Sequence, residues 1–373
     1  MFRQIYINKT VLDATRERMS YIFDEFENII VSISGGKDST VLAHLALSEA
    51  RRRRRKIGLF FLDEEVVYES TIRQVEYLMD MSPENTIKLW HQIEFNLTNA
   101  TSLTESQLKC WEVGKHKIWM RPKKSFAIQH KPWSSEHDTI RNKNKGFGFY
   151  DVLDNFQNSR QDTAFMVGLR ATESMNRWRA VSKNPGYKDV FWCTKHPTGS
   201  NYSFYPIYDW NYHDIWKYIY DNKVRYSKIY DCMHKKGLGI NEIRVSSLIH
   251  EKSFSALVEL PEFEPKTYDR LLRRIKGISV GNLYGKDNRM FRVRKLPKGF
   301  AAWREYRDFL LATYPDTEKK SIFEKRFGSH LDNNYVARQQ CRQLVLNDYE
   351  NNLPVSNMPD PRDVLIQKWR SLL

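Results

Sequence analysis

The sequence predicts an α/β fold, a parallel sheet with flanking helices, joined to a basic and mainly helical C-terminal region. Three observations predict it. Short apolar runs alternate with helical periodicity in the N-terminal half, the strand–helix–strand–helix order that right-handed crossovers produce. One run, "IGLFFLDEE", is continuously apolar up to Asp63, as suits a strand buried on both faces. From about residue 236 the chain reads instead as helices, in "KTYDRLLRRIKG", "AAWREYRDFLLATY" and "YVARQQCRQLVLNDYENN".

The elements follow in order. Residues 10–28 have the pattern of an amphipathic helix leading into a first strand, Asn28–Ile33. Asp38–Ala50 is a helix with Val41, Leu42, Leu45 and Ala46 on one face. The basic run Arg51–Lys56 separates it from the second strand, and helical periodicity returns in "TIRQVEYLMDM". Residues 84–160 are rich in Trp, His, Lys and Asn and show little period, so they read as an insertion or cap rather than as sheet. Thr163–Ser174 is a further buried strand running into a turn. A boundary near Lys236 divides a domain of residues 1–235 from a basic helical domain of residues 236–373. The stretch "NNLPVSNMPDPRD" is loop-like.

Composition restricts the function classes. The 373 residues are 41% hydrophobic and 13% aromatic, enough for a substantial core and too much for a disordered chain. No apolar run is long enough to cross a bilayer, and the N-terminus lacks the apolar core of a signal peptide, so the expected location is the cytoplasm. Cys110, Cys193, Cys232 and Cys341 are scattered without a CxxC pair, which fits a reducing compartment. Net charge is +15, and residues 265–304 alone hold twelve Lys/Arg against two Asp. Tyr268, Tyr284, Phe291, Phe300 and Trp303 are interleaved with them. Such a stretch suits a phosphate-rich partner, nucleic acid or nucleotide, and equally a solvated basic face.

The most informative stretch is Ser34-Gly35-Gly36-Lys37-Asp38-Ser39 between the first strand and its helix. Backbone N–H groups at such a turn point into a concavity, and the helix N-terminus adds positive potential, so the turn attracts phosphate. The glycines allow close backbone approach. Lys37 supplies a mobile cation, and Ser34 and Ser39 supply hydroxyl donors. Asp38 is placed to cap the helix or to hold Mg²⁺. A Walker A loop is excluded because Asp follows the Lys, and a dinucleotide fingerprint because G-x-G-x-x-G is absent.

This turn resembles the PP-loop of the adenine nucleotide α-hydrolase-like proteins, which include ATP pyrophosphatases and the phosphoadenosine phosphosulfate (PAPS) reductases. Gly168–Ala180, "GLRATESMNRWRA", and Pro206–Ile219, "PIYDWNYHDIWKYI", are similar to two further elements of the PAPS reductase branch. "NLTNATS", Cys110–Pro122 and the C-terminal helices resemble the immunoglobulin-binding regulator A proteins, so the resemblance spans most of the chain. It implies a five-stranded parallel sheet of the HUP type with an adenine nucleotide, ATP or PAPS, at the C-terminal strand ends.

The resemblance also implies site residues. Ser34, Gly35, Gly36, Lys37, Asp38 and Ser39 would bind phosphates or sulfate, with Mg²⁺ at Asp38. Asp63 would lie near the adenosine, although Glu64 and Glu65 follow where reductases tend to carry Thr-Gly. Gly168 and Arg170 match the second motif, with Arg170 on a phosphate, Glu173 orienting it, and Arg177 and Arg179 adding charge nearby. Lys37, Asp38 and Arg170 form the catalytic set. Trp210, Ile215, Trp216 and Ile219 read as core, and Asp209 as a helix cap.

The Glu-Cys-Gly-Leu-His element of assimilatory PAPS reductases is absent, and the context of Cys341 suggests packing. The expectation is therefore a PAPS reductase-like protein that cleaves ATP at the α-phosphate to activate a second substrate. The alternatives are a nucleotide-sensing regulatory or phage-defence module acting with a ParB-like or sulfiredoxin-fold partner, and a true PAPS reductase. Cys193, His196, Cys232 and His234 could together ligate zinc, but the family pattern does not demand them, so a zinc or iron–sulfur site is disfavoured. Arg51–Arg55 exceed what capping a helix needs and are a candidate contact for nucleic acid, together with residues 265–304.

Overall fold

The computed structural model describes residues 7–373, leaving out 103–104, 134–138, 142–145, 183–185, 198, 241–242, 246, 251–253, 277, 279–295, 350, 352, 363–364, 366–368, 370 and 372–373. The chain forms two compact units. One comprises residues 1–96 and 109–246, the other residues 97–108 and 247–373.

The first unit is built on strands β1 (Asn28–Ser32), β2 (Ile57–Leu62), β3 (Thr86–His91), β6 (Thr163–Val167), β7 (Cys193–Lys195) and β8 (Tyr202–Phe204). A separate ribbon pairs β4 (Phe95–Thr98) with β5 (Gln107–Cys110). The sheet order is β3-β2-β1-β6-β8-β7. Five strands are parallel, as expected, and β7 adds an antiparallel edge against β8. Strand order reverses at β1, which has β2 on one side and β6 on the other. A crevice opens at the C-terminal strand ends where the order of an open sheet reverses.

Helices α1 (Val11–Glu25), α2 (Lys37–Arg52) and α3 (Glu69–Asp80) contribute to one core with the sheet. The Thr10 hydroxyl opens α1 by accepting from Asp13 N. Val41, Leu42, Ala43, Ala46 and Leu47 of α2 are completely buried, so this helix is fixed along its length. On the opposite sheet face α4 (Phe149–Asn158) stacks Phe156 on Phe60, with ring centroids 4.4 Å apart, and sets it edge-on to Phe165. Helices α5 (Met175–Val181), α6 (Tyr212–Asp221) and α7 (Ile229–Lys235) complete this unit.

Two expectations change. Residues 84–160 are not one insertion, because Thr86–His91 pairs along its whole length with β2. This strand has exposed residues at its first half, so it shows no continuous apolar run. Residues 97–108 belong to the second unit, where Ala100 N donates to Ile249 O and Asn347 Nδ2 donates to Ser102 O. Asp209 does not cap α6. Asn211 does, in a capping box with Asp214, while Asp209 receives both Nη groups of Arg18. Trp210 is buried as read and donates its indole N–H to Thr15 Oγ1 at 2.8 Å.

The second unit contains helices Phe254–Phe263, Pro265–Arg274, Trp303–Ala312, Thr317–Phe327 and Asn334–Val345. Phe323, Phe327, Leu344 and Tyr349 form one of its buried clusters. Cys341 is buried, donates to Trp303 O, and burial pushes its thiol up to about 12. Among the described residues no helix is long and apolar enough to cross a membrane.

Candidate functional site

The turn after β1 is shaped by contacts that glycine alone permits. Gly35 has φ +70°, and a Cβ there would lie 2.8 Å from Thr71 O in α3. Gly36 is the N-cap of α2. Gly168, just past β6, passes so near the helix start that a Cβ would lie 3.2 Å from Ser39 N and 3.3 Å from the Asp38 carbonyl carbon. The second motif glycine is thus a contact point between β6 and the loop.

Ser34 and Ser39 pin the turn from inside. Ser39 Oγ accepts from Ser34 N at 3.1 Å, lies 3.1 Å from Ser34 Oγ, and donates to Gly36 O at 3.0 Å. The N–H groups of Gly35, Asp38 and Ser39 donate to no acceptor among the described residues. Free N–H groups in the first turn of a well-packed helix form an anion cradle.

The charged side chains form one connected cluster. Asp38 accepts from Lys37 Nζ at 2.9 Å and from Arg170 Nε. Arg170 also pairs with Glu173 at 3.0 Å, and Glu173 with Arg177. Lys37 and Arg170 are 5% and 4% exposed, so these charges act in a medium much less polar than water. Burial lowers the pKa of Lys37, with the Asp38 charge opposing. Its ammonium lies 5.6 and 5.7 Å from the ring centroids of Tyr212 and Tyr230. Burial likewise lowers the Arg177 pKa. The motif residues Ser34 to Ser39, Gly168, Arg170, Glu173 and Arg177 therefore come together.

Asp63 stands apart from this cluster. Its carboxylate is completely buried and receives Trp90 Nε1, Gln92 Nε2, Glu65 N and the Arg121 guanidinium. It organises the end of β2, and none of its hydrogen bonds among the described residues goes to the loop. Glu65 occupies a left-handed backbone position, φ +60°, and its carboxylate receives Trp111 N and Met120 N. The residue standing where reductases carry glycine keeps a conformation natural to glycine and fastens the chain from Trp111 to Arg121.

Each carboxylate oxygen of Asp38 is held by a cation, so a Mg²⁺ there would share Asp38 with Lys37 and Arg170. Among the described residues no group of three or more His, Cys, Asp or Glu is placed to hold a metal ion. Cys193 donates to Val190 O, and His196 bonds Ser203. Of the arginine run, Arg53 is engaged with Asp24, Glu49 and Ser20, and Arg55 with the carbonyls of Phe23, Phe26 and Glu27. Arg52 pairs with Glu49, while Arg51 and Arg54 are exposed. Much of 265–304 lies outside the described residues.

Three site residues carry no motif signal. The buried Tyr230 hydroxyl accepts from Lys37 N at 3.0 Å, Val245 packs by Gly36, and Arg244 adds charge beside Lys37 and Arg177. They sit in α7 and just after it, in sequence without a characteristic pattern.

Comparison with known proteins identifies the family of the first part of the chain. Residues 28–239 match the family described as the phosphoadenosine phosphosulfate reductase domain. Residues 237–347 match a domain of unknown function, DUF3440. The uncharacterized protein YbdN of Escherichia coli K12 is 29% identical over 316 residues, 82% of this chain and 76% of that one. Among solved structures, the PAPS reductase of Candida auris covers 61% of this chain and 93% of its own at 11% identity and a TM-score of 0.33. The U34-tRNA thiolase NcsA of Methanococcus maripaludis covers 73% and 82% at 13% identity and a TM-score of 0.33. An NH3-dependent NAD synthetase of Campylobacter jejuni covers 78% and 100% at 10% identity and a TM-score of 0.31.

Proposed function

The chain belongs to the phosphoadenosine phosphosulfate reductase domain family, and from that premise we propose that it binds an adenine nucleotide, ATP or PAPS, and cleaves ATP at the α-phosphate to activate a second substrate. One observation carries the reading. Buried Lys37 and Arg170, with the partly exposed Arg177 beside them, sit at the free N–H groups of the Ser34–Ser39 turn and are joined through Asp38 and Glu173. That is an arrangement for a multiply charged anion.

In the proposed reaction an oxygen or nitrogen of the second substrate attacks the α-phosphorus. The bond from the α-phosphorus to the bridging oxygen breaks, and pyrophosphate leaves with that electron pair. The turn's N–H groups hold phosphate oxygens. Lys37 and Arg170 neutralise charge that grows on the leaving group, and Asp38 keeps both cations aimed while the site is empty. No side-chain nucleophile is required.

Sulfonate reduction would need a reactive thiolate at the site. Cys110, Cys193 and Cys341 are buried, and burial raises the pKa of Cys193 and Cys341. Cys232 is half-buried in α7. These placements favour α-phosphate cleavage over PAPS reduction.

Purified protein incubated with ATP and candidate acceptors should release pyrophosphate and AMP or an adenylated product. Lys37→Ala should abolish nucleotide binding. Unimpaired binding in that variant would sink the site assignment, and sulfite release from PAPS with a thiol reductant would replace the reaction.

A further inference from the structure

The charge cluster holds an imbalance that the motif residues alone do not show. Among the described residues, Lys37, Arg170, Arg177 and Arg244 face two carboxylates, Asp38 and Glu173. The first three cations each have a carboxylate partner. Arg244, half-buried, makes no hydrogen bond or ion pair among the described residues.

Its position is fixed by its neighbours. Ile243 is buried. Val245 packs against the loop, its Cγ2 3.3 Å from where a Cβ on Gly36 would lie. The Tyr230 hydroxyl joins the two segments, because its oxygen takes a hydrogen bond from Lys37 N and another from the backbone of Val245. One buried oxygen therefore ties the chain carrying Arg244 to the first residue of α2. Burial is the main reason that Lys37 and Arg177 lose their protons more easily than usual, and Arg244 pushes both in the same direction. Holding a guanidinium that has no ion-pair partner among the described residues beside other cations is unfavourable until an anion arrives.

We propose that Arg244 recognises the second anionic group of the nucleotide, the group beyond the phosphate held by the turn, and so selects nucleotides of high charge over monophosphates. This deepens the reading of the site as a nucleotide site and rests on it. Residue 244 lies beyond the 28–239 stretch that matches the reductase domain and within the stretch that matches the domain of unknown function. The second group is either a terminal phosphate of a triphosphate chain or the additional phosphate of PAPS. The chemistry for Arg244 is the same, a planar fork on a phosphoryl group.

The test is a titration of the full chain and of Arg244→Gln and Arg244→Lys with AMP, ATP, adenosine phosphosulfate and PAPS. Arg244→Gln should weaken the preferred high-charge nucleotide by about tenfold to a hundredfold, the worth of a charge-assisted hydrogen bond. AMP should change by less than about threefold, and Arg244→Lys, which keeps the charge and loses the planar fork, should fall between the unaltered chain and Arg244→Gln. Loss confined to ATP identifies the triphosphate chain, and loss confined to PAPS against adenosine phosphosulfate identifies the additional phosphate. Equal loss for AMP and ATP, or no loss at all, overturns the role of Arg244 while leaving the nucleotide site standing. Failure of the unaltered chain to bind any of the four overturns the nucleotide reading and Arg244's role together. Inorganic pyrophosphate, as a competitor of ATP on the unaltered chain and on Arg244→Lys, gives the same answer should Arg244→Gln fold poorly.

Discussion

Asp38→Asn separates the two roles that a carboxylate at this position can have. Asp38 Oδ2 is 2.9 Å from Lys37 Nζ, Oδ1 meets Arg170 Nε, and the side chain is 15% exposed. A unit charge about 4 Å from a bound phosphate repels it by at most ~4 kcal/mol at the effective dielectric of such sites. The amide keeps part of the hydrogen bonding, and rearrangement of the cations screens the rest. A net gain of about 1–2 kcal/mol in nucleotide binding remains, roughly tenfold tighter. Turnover should fall, because Lys37 and Arg170 lose the group that aims them, and a 1 Å misplacement can cost about a hundredfold in rate. The variant also removes the charge that raises the Lys37 pKa against burial. Lys37 then loses its proton at lower pH than in the unaltered chain, so affinity should decline earlier as pH rises. Calorimetric titration of ATP or PAPS with and without EDTA reads the affinity, and pyrophosphate release reads the rate. An affinity loss of about tenfold seen only with Mg²⁺ present would refute this reasoning and make Asp38 a metal ligand.

Other positions give further tests. Gly168→Ala places a Cβ 3.2 Å from Ser39 N, so nucleotide affinity should fall by about tenfold while the far-ultraviolet spectrum is kept; unchanged affinity would mean that β6 does not set the loop. His91 is completely buried, its Nε2 has no hydrogen-bond partner among the described residues, and burial takes its pKa from 6.5 to about 4. The unfolded chain binds more protons between these values, so stability present at neutral pH is lost as pH falls from 6.5 toward 4, by up to ~3 kcal/mol. Denaturant unfolding of His91→Leu should show a flatter dependence over that window than the unaltered chain, and identical slopes would count against it. Arg55→Met should lower stability by about 1–3 kcal/mol by stranding three carbonyls, whereas Arg51→Ala with Arg54→Ala should change it by less than about 0.5 kcal/mol. If the exposed pair also leaves the affinity for a DNA or RNA duplex unchanged across a salt series, the basic run is no nucleic-acid contact.

What the sequence determined by itself is the local part of the site. A strand, a Ser-Gly-Gly turn and a helix are specified by neighbouring residues, since period, left-handed backbone and helix start are properties of short stretches. The pairing of Arg170 with Glu173 was legible for the same reason, three residues apart in one turn. Strand β3 was not legible, because an edge strand with an exposed first half offers no apolar run to read. Tertiary structure alone decided the state of Asp63, whose carboxylate is occupied by side chains from Trp90, Gln92 and Arg121. It decided the partners of Asp38 as well, because Arg170 arrives from the turn after β6, 132 positions away, and takes one of its carboxylate oxygens. It placed Tyr230 and Val245 on the loop and the Arg244 charge near Lys37. Burial and long-range charge depend on which segments meet in space, and no pattern within any one of those segments encodes the meeting.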